Sequence, residues 1–378
     1  RNDNGEDKNM TLLWAVILFG LLIFFHELGH FIFAKLMGVK VLKFSLGFGP
    51  TIIGKKIGET EYVISAIPLG GYVKPLGEDI EEELSEEDKP RAFNYQPVWK
   101  RVAIVVAGPV FNFVLALIIF ISFLGLKLPV AIPKLDSLQA KIENVMEDSP
   151  AMKAGILPDD TIVEINGSDV QDWNEMAEIF SASPGKELKL TIRRGDDLIN
   201  LAVVPEAVKA TDGDGKEITV GKIGISKKLD VHLIEADNIF EAPFKGLQAV
   251  WEWSVLTLEV VVKLFSGSVS AKQVGGPILI VDAAAKAASV GAFAYFNFIA
   301  IISINLAILN LFPVPVLDGG HVMFMCIEAL RGRPLSERFQ IWANKVGMAL
   351  LFMLIAFVFY NDIVRIIVPW VQKSLLNN

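Results

Sequence analysis

The chain has 378 residues, 52% of them hydrophobic and only 21% charged, with a mean hydropathy of +0.47. That balance is too apolar for an ordinary soluble domain and too charged for a bare helix bundle, so membrane-spanning and water-soluble parts share one chain. The net charge of −8 without a basic face excludes nucleic-acid binding, and a single cysteine, Cys326, excludes an intrachain disulfide and a cysteine-rich metal site.

Residues 1–10 are polar and end at Met10; they read as a short tail or an expression remnant. The apolar run 11–37 is long enough for a transmembrane helix, which needs about 20 residues. It lacks the basic leader and small-residue cleavage site of a removable signal peptide. In 38–101, short apolar segments alternate with Gly47, Gly49, Pro50, Gly54, Gly58, Gly70 and Gly71, a pattern that predicts β-hairpins on the cytoplasmic side, closed by a solvated acidic loop at 78–88. A second span is predicted at 102–126.

Residues 128–229 alternate in segments such as Glu187-Leu188-Lys189-Leu190-Thr191-Ile192, with turn signals at Asn166-Gly167 and Arg194-Gly195-Asp196, and predict a small α+β domain. Within 230–289, the stretch 244–265 is apolar on average but carries Lys245, Glu252, Glu259 and Lys263 beside Trp251 and Trp253. It predicts an amphipathic helix lying on a membrane or on another domain. Further spans are predicted at 290–330 and 346–369. The fold class expected is a polytopic α-helical membrane protein with four transmembrane helices, a membrane-associated β-hairpin region and an inserted α+β domain. Lys35, Lys40, Lys43, Lys100 and Arg101 flank the first connection and Arg331, Arg333, Arg338 and Lys345 the last, which predicts both as cytoplasmic and the inserted domain as extracytoplasmic.

The chemistry concentrates in His26-Glu27-Leu28-Gly29-His30. Two histidines four apart on a helix point the same way and can share a metal, while Glu27 flanks that face within reach of water at the ion. Interior packing histidines are the plain alternative, but two histidines and a glutamate at membrane depth are costly without a partner or a metal. A third ligand is needed. Asp318, the first charged residue after Lys286, is the strongest candidate; His321 is the rival ligand, and a helix cap is the structural alternative for Asp318. His26 lies about 16 residues, or ~24 Å, from the outer end of its span. Asp318 reaches a similar depth only if one span separates the two, which is why 244–265 is expected at the surface.

His26-Glu27-Leu28-Gly29-His30 together with Asn310-Leu311-Phe312-Pro313-Val314-Pro315-Val316-Leu317-Asp318-Gly319-Gly320-His321 resembles the site-2 protease family of zinc intramembrane metalloproteases. Ser149-Pro150-Ala151-Met152-Lys153-Ala154-Gly155-Ile156 and Asp159-Asp160-Thr161-Ile162-Val163-Glu164-Ile165-Asn166-Gly167 resemble a bacterial PDZ domain, and the chain from Met10 onward is similar to the RseP/RasP-type proteases, here with one PDZ domain. The resemblance implies Zn2+ on His26, His30 and Asp318, water activation by Glu27, and Asn310 and Asn305 near the substrate. It also implies regulated intramembrane proteolysis in the bacterial cytoplasmic (inner) membrane, with the active site toward the cytoplasm. Its substrates would be single-span membrane proteins in the lipid bilayer, such as anti-sigma factors or signal-peptide remnants. From the residues alone, Asn305 and Asn310 read equally well as helix-helix contacts, and Gly108-Pro109 with Asn112 as close packing around a kink. The rival from another class is a non-catalytic membrane scaffold that keeps a structural metal and binds partners through the PDZ-like domain. Glu27 speaks against it, because a structural site has no use for a carboxylate beside water.

Overall fold

In the computed structural model, residues 3–78, 84–133, 140–170, 173–211, 217–227, 231–266 and 275–363 are described. They belong to two compact units, one of residues 1–129, 235–262 and 272–361 and the other centred on residues 130–234.

The first unit begins with α1 (Asp3–Leu36). The polar segment expected as a tail is helical from Asp3 on, since nothing in it stops a helix short of the apolar run; residues 1–2 lie outside the described residues. Two long strands follow, β1 (Val41–Ile57) and β2 (Thr60–Pro75). Both bend. Residues 43–46 pair on one side with 71–74 and on the other with 61–64, while 51–57 pair with 60–65, so the hairpin forms a sheet of four lanes with 71–75 at one edge. That edge lies on α1: a Cβ on Gly71 would fall 2.9 Å from Ile23 Cγ2 and 3.2 Å from Glu27 Cγ. Residues 79–83 of the acidic loop lie outside the described residues.

Helix α2 (Val98–Gly125) contains Pro109 and buries Ile104, Ala107, Gly108, Asn112 and Ala116. It packs on α1 so closely that a Cβ on Gly29 would sit 2.2 Å from the Ala107 carbonyl oxygen, a small-residue contact of the kind that joins helices in lipid.

The second unit opens with β3 (Val130–Pro133) and β4 (Ile142–Val145), then α3 (Pro150–Lys153). Its main sheet contains β5 (Thr161–Ile165), β6 (Ser168–Asp169), β7 (Leu188–Arg194) and β8 (Asp197–Val203) in the order β6-β5-β7-β8, with α4 (Trp173–Ser181) inserted. Alternation along β7 turns Leu188, Leu190 and Ile192 into a core shared with Ile142, Ile162, Met176 and Ile223. Strands β9 (Glu206–Thr211) and β10 (Glu217–Lys222) form a hairpin, and β11 (Ile225–Lys227) pairs with β4. The last strand, β12 (Val231–Ile234), pairs antiparallel with β3 and puts Val130 opposite Ile234. This unit therefore closes at 234, not 229, because its exit strand completes a ladder with its entry strand.

Back in the first unit, α5 (Ala242–Phe265) and α6 (Pro277–Val290) precede α7 (Ala292–Asn310). The sequence predicts α5 as an amphipathic helix lying on a membrane or on another domain, and among the described residues α5 is not one of the helices long and apolar enough to cross a membrane. Gly246 meets Ile121 near the end of α2, and Thr257, three turns on, donates to Asn305 Oδ1 of α7 at 2.7 Å. Helix α7 is antiparallel to α2, with Phe293 against Phe123 and Ser303 bonded to the Asn112 carbonyl, so these contacts descend along both helices. Helix α6, which hydropathy leaves undistinguished from its surroundings, packs on α1 and α7.

The predicted span 290–330 is two helices, α7 and α8 (Asp318–Arg331). Pro313 and Pro315 remove backbone donors and push the residues before them out of helical geometry, and Val316 stands at φ +86, a strained position for a β-branched residue. The last described helix is α9 (Glu337–Asp362), which starts nine residues earlier than the hydropathy suggests because Glu337, Arg338 and Gln340 suit a helix without suiting lipid; residues 364–369 of the expected span lie outside the described residues. Among the described residues, four helical stretches are long and apolar enough to cross a membrane: Met10–Leu36, Val98–Gly125, Ala292–Asn310 and Glu337–Asp362.

Candidate metal centre

His26 and His30 lie one turn apart on α1 with their rings edge to face, centroids 4.8 Å apart. Their Nε2 atoms are 3.2 Å from each other. Asp318, first residue of α8, brings Oδ2 to 3.3 Å from His26 Nε2 and Oδ1 to 3.7 Å from His30 Nε2. Two bonds of ~2.0–2.1 Å at a tetrahedral angle separate their ligand atoms by about 3.3 Å, so the spacing of the two nitrogens and the carboxylate suits a tetrahedral zinc ion. Asp318 Oδ2 is buried and accepts no hydrogen bond. With both Nε2 atoms unprotonated, two nitrogens and a carboxylate facing one another repel unless a cation lies among them, and the residues present fit that ion. Among the described residues, this is the one such group of His, Cys, Asp and Glu.

The rings fit because α2 yields space. A Cβ on Gly108 would fall 2.3 Å from His30 Nε2 and 2.9 Å from His26 Cε1. The same helix engages the other ring nitrogens: His30 Nδ1 is 2.9 Å from the Ile104 carbonyl oxygen, and His26 Nδ1 is 3.2 Å from Asn112 Nδ2. Asp318 reaches the histidines because the α7–α8 loop is tightly wound. A Cβ on Gly319 would lie 2.3 Å from the carbonyl oxygens of Leu311 and Phe312, and one on Gly320 2.3 Å from that of Val314. The cap of α8 is Leu317, so Asp318 does not have the capping role that the structural alternative assigns it.

Glu27 lies beside the cluster and accepts a hydrogen bond from the Val73 backbone N–H on the sheet edge. It shares with His26, His30 and Asp318 a cavity of about 590 Å³. His321 is on the wall of that cavity, outside the converging set. So are Arg101 and Glu328, whose side chains pair bidentately at 2.5 and 3.2 Å and tie α2 to α8. The sequence reading misses this pair because 227 positions separate its members, and it treats Asn112 as packing although the side chain touches His26. Asn305 and Asn310 are not brought to the cavity: Asn305 is bonded to Thr257, and Asn310 ends α7. The remaining histidine, His232, is on β12 of the other unit.

A family model described as Peptidase family M50 matches residues 14–354. A Rhizobium meliloti (strain 1021) protein named as a zinc metalloprotease is 37% identical over 372 residues, covering 95% of this chain and 97% of that one. A Clostridium acetobutylicum protein named likewise is 36% identical over 357 residues, covering 94% and 97%. A solved PDZ domain from Listeria monocytogenes is 22% identical over 25% of this chain and 92% of that one, at a TM-score of 0.20, too low to bear on the fold.

Proposed function

This chain belongs to Peptidase family M50, and on that premise we propose that it is a zinc-dependent endopeptidase that cuts transmembrane segments of single-span membrane proteins inside or at the edge of a bacterial cytoplasmic membrane. The observation that carries this reading is the convergence of His26, His30 and Asp318 with Glu27 beside them, on helices able to cross a membrane. The relatives named as zinc metalloproteases support the choice of ion. His26, His30 and Asp318 would hold it, and zinc there supplies a Lewis acid for the scissile carbonyl and eases deprotonation of water. Glu27 takes the proton of the attacking water and returns it to the departing amine.

A helix in lipid hides its peptide bonds in its own hydrogen bonds, so the substrate must be unwound and its freed backbone groups satisfied. The sheet edge 71–75, whose Val73 N–H touches Glu27, is the natural template: an extended substrate added there by strand pairing would run beside the base. Asn310 and Asn305, outside the lining of this cavity, remain candidate substrate contacts on the strength of the family resemblance. The lysine and arginine distribution supports a cytoplasmic active site and an extracytoplasmic inserted domain, which we take to be PDZ-like and to screen substrates through a peptide groove.

The test is Glu27→Gln. The amide keeps the volume and cannot accept the proton, so zinc content should stay at the wild-type level while cleavage of a single-span substrate falls at least a thousandfold. Both are measured on one purified sample with a chelator control. Substantial turnover by the variant would remove the base assignment, and a wild-type chain without zinc would remove the metalloprotease reading.

A further inference from the structure

We infer that Asn112 is the positioning residue of His26: with zinc bound, its side-chain oxygen accepts a hydrogen bond from His26 Nδ1–H and holds the ring in the tautomer that leaves Nε2 bare. This rests on the zinc reading above and goes beyond it to a residue outside the ligand set.

A histidine that ligates through Nε2 carries its proton on Nδ1, and a buried N–H needs an acceptor. For His30 that acceptor is fixed, because the Ile104 carbonyl oxygen, 2.9 Å from Nδ1, can do nothing but accept. For His26 the neighbour is an amide, which presents either a donor or an acceptor. Asn112 is fully buried, and its backbone is anchored by Ser303 Oγ donating to the Asn112 carbonyl at 2.8 Å. As placed, Nδ2 faces His26 at 3.2 Å and Oδ1 is buried without a partner. The two ends of an amide have nearly the same shape, so their assignment rests on the hydrogen-bond network. The placed orientation leaves Oδ1 unpartnered, so nothing on that side fixes the amide, and the ring decides.

If Nδ2 donates to Nδ1, the ring proton sits on Nε2, 3.3 Å from Asp318 Oδ2 and 3.2 Å from His30 Nε2. That proton occupies the place where the ion must bind. If Oδ1 faces the ring, Nδ1 carries the proton and Nε2 is free. Metal occupancy and amide orientation are thus linked, and α2 supplies both tautomer-fixing acceptors, one from its backbone and one from Asn112.

Asn112→Asp and Asn112→Leu separate this role from packing, since the carboxylate can only accept and the leucine does neither. Zinc affinity is measured on the full-length purified chain by competition with a chromogenic chelator, with thermal unfolding of the metal-free protein as the check on folding. Asn112→Leu should bind zinc ten- to a hundredfold more weakly, whereas Asn112→Asp should match or exceed the wild type. Wild-type affinity in a folded Asn112→Leu, or an Asn112→Asp weakened tenfold or more, overturns the inference. If Asn112→Leu does not fold, the near-isosteric Asn112→Asp decides alone. A wild-type chain that binds no zinc overturns the metalloprotease reading and this inference with it.

Discussion

At the scale of single residues, the proposed metal centre divides into groups the sequence makes legible and groups only the fold supplies. The histidine pair and Glu27 are readable because helical periodicity converts a spacing of four into a shared face. Asp318 is readable because an isolated charge in a long uncharged run demands a reason. Asn112, Gly108 and Ile104 are not readable in the same way: what matters is a carbonyl direction, a missing Cβ and an amide facing a ring on another helix, none of which has a local pattern. Between the two candidates for third ligand, the convergence on His26 and His30 favours Asp318 over His321. Replacing the anion by a neutral amide should weaken zinc at a low-dielectric site. Asp318→Asn is therefore expected to lower zinc affinity by about a hundredfold or more, at the upper end of what losing a supporting group costs, while His321→Ala keeps it within a few-fold. Zinc content after dialysis against a weak chelator reads both. Normal binding by Asp318→Asn with loss in His321→Ala would exchange their roles.

Elements tell a different story, because hydropathy sees composition and not direction. It separates four apolar stretches from their surroundings but merges α7 with α8, whose break at Pro313 and Pro315 is what turns Asp318 back toward the histidines. It keeps α5 out of the spans because of four charged residues, and does not register the Thr257–Asn305 hydrogen bond that ties this helix to α7. The placement of α8 depends on a contact that hydropathy cannot register, the Arg101–Glu328 pair, whose side chains are only 12% and 18% exposed. Removing one partner of a poorly solvated pair strands the other charge, at about 3 kcal/mol. Arg101→Met should lower the thermal unfolding midpoint of the detergent-solubilised chain by several degrees and weaken zinc as well, since α8 carries Asp318. The double variant with Glu328→Leu should recover most of the stability, because an apolar pair of similar volume leaves no charge behind. An unchanged midpoint in Arg101→Met would mean that α8 is held by its glycine contacts alone.

For the whole molecule, the division into an apolar bundle and an inserted domain is legible from composition alone, while the seam between them is not. The inserted domain closes through β3 and β12, which place Val130 directly opposite Ile234. Directly paired strand residues have Cα atoms about 5 Å apart, so the domain hangs from the bundle by two adjacent chain ends and a linker of three or four residues can replace it. Its removal tests the screening role proposed for it. Every proposed ligand and the proposed base belong to the other unit, so the chemistry should survive the deletion. If the domain screens, a chain lacking 130–234 should cleave a short, pretrimmed single-span substrate at the wild-type rate and an untrimmed version of the same substrate several-fold faster than the intact enzyme does. Full-length and pretrimmed forms are compared in cells, with zinc content and thermal unfolding of the shortened enzyme measured after purification. A shortened enzyme that is folded and zinc-loaded but fails on the short substrate would show that the domain delivers substrate to the bundle. Equal cleavage of both forms by both enzymes would mean that selection resides in the bundle itself, with the sheet edge at 71–75 the first place to look for it.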